Sequence, residues 1–126
     1  MADKISVLCV EDDNILRTLI ELALCLDRQI AVTLAASSDD ARALWTAGFR
    51  PDLVLLDFRL PNISGVELLA WLKDIGGMNA PAVFLTATTH HADLAAMMSA
   101  GAAGIIRKPF HPFELAAQVR AYLPGR

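Results

Sequence analysis

Short apolar runs with the character of β-strands alternate with helical repeats along the whole chain. The first predicted strand is Ile5–Val10. The helix predicted after it carries apolar residues at helical spacing: Ile15, Leu16, Leu19, Leu22, Ala23 and Leu26. Four more predicted strands follow, at residues 31–35, 53–56, 82–86 and 104–106. The pattern therefore predicts five strand–helix units in tandem.

The other four predicted helices are recognised by their ends. Side-chain oxygens of residues 37–40 suit the start of the second helix. Residues 64–67 (Ser-Gly-Val-Glu) have the spacing of a capping box for the third helix, which closes at Gly76-Gly77. The fourth helix is predicted for residues 93–100. The fifth is predicted to begin at Pro112, since proline suits the first helical position, and to run to about Leu123.

The third predicted strand indicates how the sheet is built. All four of its residues, from Leu53 to Leu56, are apolar. A strand that is apolar on both faces belongs in the middle of a parallel sheet covered by helices on both sides. Tandem β–α units also imply right-handed crossovers between parallel strands. We therefore expect an α/β fold with one doubly wound sheet, and the 126 residues fit a single domain over 1–126.

Composition and charge narrow the function classes. Apolar residues make up 55% of the chain and charged residues 20%, a balance that excludes intrinsic disorder. No apolar run approaches the roughly 20 residues that a membrane-spanning helix needs. Lys and Arg total 11 against 14 Asp and Glu, and the resulting net charge of −3 argues against direct nucleic-acid binding.

The cysteines and the N-terminus bear on the compartment. Cys9 and Cys25 lie inside apolar patterns without CxxC spacing, so we expect two buried free thiols rather than a disulfide or a metal pair. Residues 1–5 lack the basic and apolar regions of a secretion signal. The cytoplasm is therefore the expected compartment.

Polar side chains stand at the carboxyl ends of four predicted strands. Glu11 and Asp12 follow the first strand, and Asp57 follows the third. Thr86 closes the fourth strand, and Lys108 follows the fifth. Each residue alone is also typical of a helix start, a turn or a solvated surface. Because open parallel sheets bind ligands at the carboxyl ends of their strands, the four ends together predict a site.

The chemistry of this set favours phosphoryl transfer. Three clustered carboxylates repel one another and need a cation nearby to stay ionised together. Their hard oxygens suit Mg²⁺, which keeps several water ligands. A carboxylate beside Mg²⁺ and a lysine is arranged to accept a phosphoryl group, because both cations neutralise the charge of that group.

Together and in this order, the motifs make the chain resemble the receiver domain of response regulators in two-component signalling, over essentially its whole length. The matching segments are residues 7–13 (Val-Leu-Cys-Val-Glu-Asp-Asp), 57–61 (Asp-Phe-Arg-Leu-Pro) with Ser64-Gly65, Thr86-Ala87, and 108–110 (Lys-Pro-Phe). The resemblance implies a flavodoxin-like sheet with strand order 2-1-3-4-5, flanked by five helices.

The resemblance also implies a role for each acidic residue. Asp57 matches the phosphoacceptor of the family. Asp12 matches the direct Mg²⁺ ligand, and Glu11 matches its acidic partner. Arg59 occupies the position whose backbone carbonyl completes the metal shell, so its side chain is not implicated.

Two further matches concern the switch itself, and two positions depart from the family. Thr86 matches the hydroxyl that moves towards the phosphoryl group, and Lys108 matches the lysine that pairs with that group, before a cis bond to Pro109. Ile105 stands where the family often has a switching Tyr or Phe. Ala103-Gly104 replaces the acidic pair of one large transcription-factor class, which weakens the case for their salt-bridged dimer and leaves a phosphorylation-dependent homodimer open.

The expected function is a phosphorylatable signalling switch rather than a metabolic enzyme. The resemblance implies a histidine kinase or a histidine phosphotransfer protein as the donor, and a change on the face of the fourth helix, fifth strand and fifth helix as the output. The downstream partner is not identified, and no output domain is expected within residues 1–126. Two alternatives stay open: a degenerate receiver that acts only as an interaction module, and a Mg²⁺-dependent phosphohydrolase, although the latter typically has a second Asp where Arg59 stands.

Overall fold

The structure, a computed structural model, describes residues 4–124. Five strands and five helices alternate strictly along the described chain. In chain order they are β1 Ile5–Val10, α1 Asn14–Cys25, β2 Ile30–Ala35, α2 Ser38–Thr46, β3 Leu53–Asp57, α3 Gly65–Asp74, β4 Ala82–Thr86, α4 His91–Ser99, β5 Gly104–Arg107 and α5 Leu115–Arg120. Within residues 4–124, no helix is long and apolar enough to span a membrane.

All five strands are parallel and form one sheet in the order β2-β1-β3-β4-β5. This confirms the predicted fold class and the strand order that the family resemblance implied. The register sets Val10 opposite Leu56, and Asp57 opposite Leu85. The carboxyl ends of β1, β3 and β4 are therefore nearly level at one edge of the sheet.

Helices cover both faces of the sheet, and β3 lies at its centre. Every residue of β3 is buried, and alternate side chains enter two separate cores. Leu53 and Leu55 belong to the core under α1 and α5, whereas Val54 and Leu56 belong to the core under α2, α3 and α4. The run of apolar residues in β3 thus reports burial on both faces, as predicted.

Helix α1 forms where the apolar repeat predicts it, but much of that repeat faces outwards. The helix buries Ile20, Ala23 and Leu24 against the sheet. The side of the helix that carries Ile15, Leu19, Leu22 and Leu26 is exposed, and we refer to these four residues as the α1 apolar face. The same helix corrects the cysteine prediction: Cys9 in β1 is buried and Cys25 in α1 is exposed, although both are free thiols as expected.

Helix α5 is shorter than predicted, and α4 begins slightly earlier. Residues 112–114 form a turn instead of a first helical turn, with Glu114 N–H donating to the carbonyl of His111 at 3.0 Å. Proline suits the second position of such a turn as well as a helix start, so Pro112 did not distinguish the two. The helix therefore begins at Leu115 and ends at Arg120. Helix α4 begins at His91 rather than at residue 93 and buries a single residue, Met97.

Candidate functional site

The predicted site residues come together at the carboxyl edge of the sheet. Glu11 directly follows β1, Asp57 is the last residue of β3, and Thr86 is the last residue of β4. Lys108 directly follows β5, and its backbone N–H donates to the carbonyl of Thr86 at 2.9 Å. Parallel pairing, rather than closeness in sequence, therefore brings these side chains together.

Three carboxylates form the centre of the site. Glu11, Asp12 and Asp57 each offer an oxygen, and these oxygens all lie within 4.8 Å of one another. Glu11 is 2% exposed and Asp57 is 8% exposed, whereas Asp12 is exposed. The cluster is thus walled by protein on the side of the sheet and open to solvent at Asp12.

A single lysine partly balances these charges. The Nζ atom of Lys108 lies 3.0 Å from Glu11 Oε1 and 3.4 Å from Asp57 Oδ1. Burial raises the pKa of Glu11, and the nearby Asp57 raises it further, against the N–H of Asp13 and the lysine, which lower it. Burial lowers the pKa of Lys108, but its contacts with the two carboxylates outweigh burial and leave that pKa raised. One ammonium among three carboxylates leaves the site net negative.

The donor set fits a divalent cation with a preference for oxygen. Glu11, Asp12 and Asp57 supply only hard oxygen ligands, and the exposed side of the cluster leaves room for the waters that Mg²⁺ retains. A second positive charge would also relieve the repulsion that Lys108 alone does not balance. The three residues could therefore hold a metal ion, and their oxygens suit a hard divalent cation.

A close approach of α3 to β3 shapes the loop that carries Asp57. The backbone N–H of Gly65 donates to the carbonyl of Phe58 at 2.9 Å. A Cβ atom at Gly65 would lie 2.1 Å from the carbonyl oxygen of Asp57, so only glycine fits there. In the same loop, the backbone N–H of Arg59 donates to Asp57 Oδ1 at 3.3 Å, while the Arg59 side chain points largely into solvent.

Local hydrogen bonds hold the acidic turn after β1. The N–H of Asp13 donates to Glu11 Oε2 at 3.1 Å, and the Asp13 side chain caps α1 by accepting from the N–H of Leu16 at 3.0 Å. Arg17 donates to the carbonyls of Glu11 and Asp12 at 2.9 Å and 3.3 Å. Arg17 was not predicted from the sequence, because nothing in the pattern separates it from an ordinary surface arginine.

Thr86 is buried and engaged by the loop that follows it. Its Oγ1 accepts a hydrogen bond from the N–H of Thr88 at 3.1 Å, and Thr88 Oγ1 donates to Asp93 Oδ2 at 2.8 Å. Thr86 was predicted as a site residue, whereas Thr88 and Asp93 were not, since a threonine in a loop carries no distinguishing signal. The Lys108–Pro109 bond is cis, as the resemblance implied.

A cavity of about 300 Å³ lies beside the site and joins it to α1. Leu16 and Leu19 of α1 line it together with Ala87, Lys108, Pro109 and Phe110. Leu19 belongs to the α1 apolar face, so that face borders the same cavity as Lys108.

Comparison with known proteins identifies the family. Residues 7–120 match the response regulator receiver domain. The DNA-binding response regulator MtrA of Mycobacterium tuberculosis is 38% identical over 118 residues, which cover 93% of this chain and 50% of that protein. The transcriptional regulatory protein CseB of Streptomyces coelicolor is 37% identical over 123 residues, covering 98% of this chain and 51% of that protein.

Solved structures agree with the sequence relatives. The chemotaxis response regulator CheY4 of Vibrio cholerae has a TM-score of 0.84 and 25% sequence identity, with 95% of this chain and 99% of that chain covered. The chain spans about half the length of the curated relatives it matches. From the matched segment, the strand order and the acidic edge of the sheet, this chain belongs to the response-regulator receiver domains of two-component systems.

Proposed function

We propose that this receiver domain is a phosphorylatable switch in which Asp57 accepts a phosphoryl group from a phosphohistidine donor, with Mg²⁺ bound by Glu11, Asp12 and Asp57 and by the backbone carbonyl of Arg59. One observation carries the proposal. The Asp57 carboxylate, at the end of a fully buried strand, lies 3.4 Å from the ammonium of Lys108 and shares an acidic cluster with two other carboxylates. That is the charge arrangement that phosphoryl transfer to a carboxylate requires.

The residues of the site have distinct tasks in the transfer. A carboxylate oxygen of Asp57 attacks the phosphorus, and the bond from the donor's imidazole nitrogen to phosphorus breaks as the oxygen–phosphorus bond forms. Lys108 neutralises charge on the phosphoryl oxygens from one side. Magnesium held by the oxygens of Glu11, Asp12 and Asp57 would supply further neutralisation of this charge. The buried position of Asp57 limits the access of water to its carboxylate.

Thr86 connects the phosphoryl group to the rest of the domain. Its hydroxyl accepts from the N–H of Thr88 and is free to donate to a phosphoryl oxygen, a charge-assisted hydrogen bond that exists only after transfer. Movement of Thr86 displaces the loop after β4 and then α4. Ile105 has no aromatic ring that could turn inwards. Because it is half-buried and branched at Cβ, its side chain is stiff about χ1 and stays in place. The changed surface is the face of α4, β5 and α5, with Leu94 and Ile105 at its apolar part.

The α1 apolar face suits the phosphodonor. Ile15 is 82% exposed and Leu22 is 63% exposed, and the stripe follows the spacing of a helix–helix seam. Four side chains are too few for a permanent interface of roughly 800 Å² per partner and fit a transient signalling contact. Because Leu19 also lines the cavity that leads to Lys108, a helical donor seated here has its phosphohistidine beside the site.

The remaining assignments follow from the same function. A histidine kinase or a histidine phosphotransfer protein is the donor, and the domain works in the cytoplasm. The relatives MtrA and CseB are named as a DNA-binding response regulator and a transcriptional regulator, so transcription is the output class we assign to a downstream partner or output domain. That residues 1–126 form one receiver domain and make no direct nucleic-acid contact stay predictions, as does a homodimer formed on phosphorylation.

Two other functions fit less well. A phosphohydrolase of related architecture would use a second acid two residues after the nucleophile, where this chain has Arg59 with its side chain largely in solvent. A degenerate receiver would have lost part of the site, yet the lysine and all three carboxylates are in contact or within 4.8 Å of one another. The domain is therefore assigned as a regulator whose chemistry is confined to its own phosphorylation and dephosphorylation.

Labelling with a small phosphodonor tests this function. With Mg²⁺ and acetyl phosphate, the wild-type chain should acquire one labile acyl phosphate, on Asp57. Asp57→Asn should abolish the labelling, whereas Asp13→Asn should retain it, because Asp13 lies outside the acidic cluster and caps α1. Unchanged labelling of Asp57→Asn would refute the assignment, and no labelling of the wild type would favour the degenerate receiver.

A further inference from the structure

The loop between β4 and α4 is held by a chain of side-chain contacts that ends on the β3–α3 loop. Thr88 donates through its hydroxyl to Asp93 Oδ2 at 2.8 Å, and the same hydroxyl accepts from the N–H of His90 at 3.3 Å. Arg59 reaches Asp93 Oδ2 from the other loop at 3.8 Å. The backbone N–H of Thr88 donates to the Thr86 hydroxyl at 3.1 Å. Thr86 and the start of α4 are thus connected through Thr88.

Helix α4 begins differently from the first three helices. The helices α1, α2 and α3 each carry a side-chain cap, supplied by Asp13, Ser37 and Ser64. The residue at the cap of α4 is His90, which makes no side-chain cap hydrogen bond. Since α4 also buries only Met97, the contacts of Asp93 are a substantial part of what holds its first turn. The start of α4 is therefore tied to the phosphorylation site rather than capped locally.

We propose that Arg59, Thr88 and Asp93 form a latch that holds α4 and the Thr86 hydroxyl in their unphosphorylated positions and opens when Asp57 is phosphorylated. The proposal rests on the proposed function, since it assumes a phosphoryl group on Asp57. It assigns Asp93 and Thr88 as positioning residues that act through Thr86 and do not touch the phosphoryl group.

Phosphorylation withdraws partners from the latch at both ends. The phosphoryl group brings nearly two negative charges, and Arg59 lies two residues from Asp57 with 74% of its side chain exposed, so it is free to turn towards them. Asp93 then loses its cation while negative charge nearby increases. At the other end, Thr86 moves towards the phosphoryl oxygen to which its hydroxyl donates, and this movement draws its oxygen away from the N–H of Thr88. The same event thus weakens the contacts of Asp93 and of Thr88.

Coupling of this kind is reciprocal. If the phosphoryl group favours the open latch, then opening the latch favours the phosphoryl group or its analogue by the same free energy. Removal of the latch should therefore tighten the binding of beryllofluoride, which stands in for the phosphoryl group, by about fivefold to tenfold. A latch that only stabilised the fold would leave that affinity unchanged.

Two variants and a matched control test the latch in the full chain with Mg²⁺. Asp93→Ala removes the carboxylate, and Thr88→Val removes the hydroxyl while keeping the Asp93 carboxylate and its pairing with Arg59. Asp39→Ala is the control, because Asp39 is also an acid in the first turn of a helix and is paired with an arginine, Arg42, but lies outside the site. Beryllofluoride affinity is measured by fluorescence or NMR titration, and amide hydrogen exchange is followed at residues 91–94.

Both latch variants should bind beryllofluoride more tightly than the wild type and should exchange faster at residues 91–94, and Asp39→Ala should do neither. If the wild type binds beryllofluoride and both latch variants bind it equally well, the latch is refuted and the proposed function stands. If the wild type does not bind beryllofluoride at all, both the proposed function and the latch that rests on it are refuted. Unchanged amide hydrogen exchange at residues 91–94 in both variants would refute the latch whatever the titration shows.

Discussion

Replacement of Asp12 by asparagine should separate the metal role of this residue from any role in the fold. Asp12 is exposed and shares a 4.8 Å cluster with two other carboxylates. Two unit charges at that separation repel by about 3.5 kcal/mol at an effective dielectric constant of about 20, and by about 0.9 kcal/mol in water. Since Asp12 faces solvent, the lower figure applies. Without metal, Asp12→Asn should therefore raise the free energy of unfolding by about 1 kcal/mol.

With magnesium present, the wild type should become more stable to unfolding than Asp12→Asn. A ligand at a hundredfold its Kd stabilises the folded state by about 2.7 kcal/mol, and only the wild type should gain this. Urea unfolding at low ionic strength, followed by the fluorescence of Trp45 and Trp71, measures both conditions, with a chelator in one and Mg²⁺ in the other. Asp13→Asn is the control, because asparagine caps α1 as well as aspartate does and lies outside the cluster.

A marked loss of stability in Asp12→Asn with chelator present would refute this reasoning. It would show that Asp12 stabilises the acidic turn after β1 rather than serving mainly to bind a cation. Equal stabilisation of both proteins by Mg²⁺ would instead place the cation elsewhere.

Three further predictions concern other parts of the chain. Alkylation of the native protein should modify only Cys25, because Cys25 is exposed, whereas Cys9 is buried and its pKa is raised to about 12, mainly by that burial. A second thiol that reacts equally fast would contradict this prediction. On beryllofluoride binding, amide NMR shifts should concentrate at residues 86–94 while Ile105 keeps one rotamer, and a rotamer change at Ile105 with an unmoved loop would disprove this route. The raised pKa of Glu11 means that metal-free stability falls as pH rises above 4.5, its ordinary value, because the folded state holds that proton longer. In Glu11→Gln the urea midpoint should fall less as the pH rises above 4.5, and an unchanged slope would contradict the raised pKa of Glu11.

The periodicity of apolar residues predicted most of the strands and helices, and the chemistry of the residues at the strand ends predicted which of them form the candidate site. The apolar run of β3 predicted a central strand because burial on both faces leaves no polar position. Glu11, Asp57 and Lys108 were recognisable because each is a charged residue directly at the end of an apolar strand. Parallel pairing then did the rest, since it places strand ends at one edge of the sheet whatever the loops between them.

The failures share a physical cause, which is competition between local patterns. Apolar residues lie on more than one side of α1, so the repeat could not tell the buried Ile20 from the exposed Ile15 or indicate that Cys25 faces solvent. Pro112 suits a turn and a helix start equally well. The link from Thr88 to Asp93 depends on how a loop folds back, and loop side chains carry no periodic signal.

The most direct test of the central claim is the location of the phosphoryl group. After incubation with acetyl phosphate and Mg²⁺, reduction with borohydride converts an acyl phosphate on aspartate into homoserine, which peptide mass spectrometry locates. The role of Asp57 as phosphoacceptor predicts homoserine at position 57 of the wild type, dependent on phosphodonor and Mg²⁺ and strongly reduced in Asp12→Asn. Homoserine at position 12 or 13, or none at any position under conditions that label a known receiver domain, would contradict it.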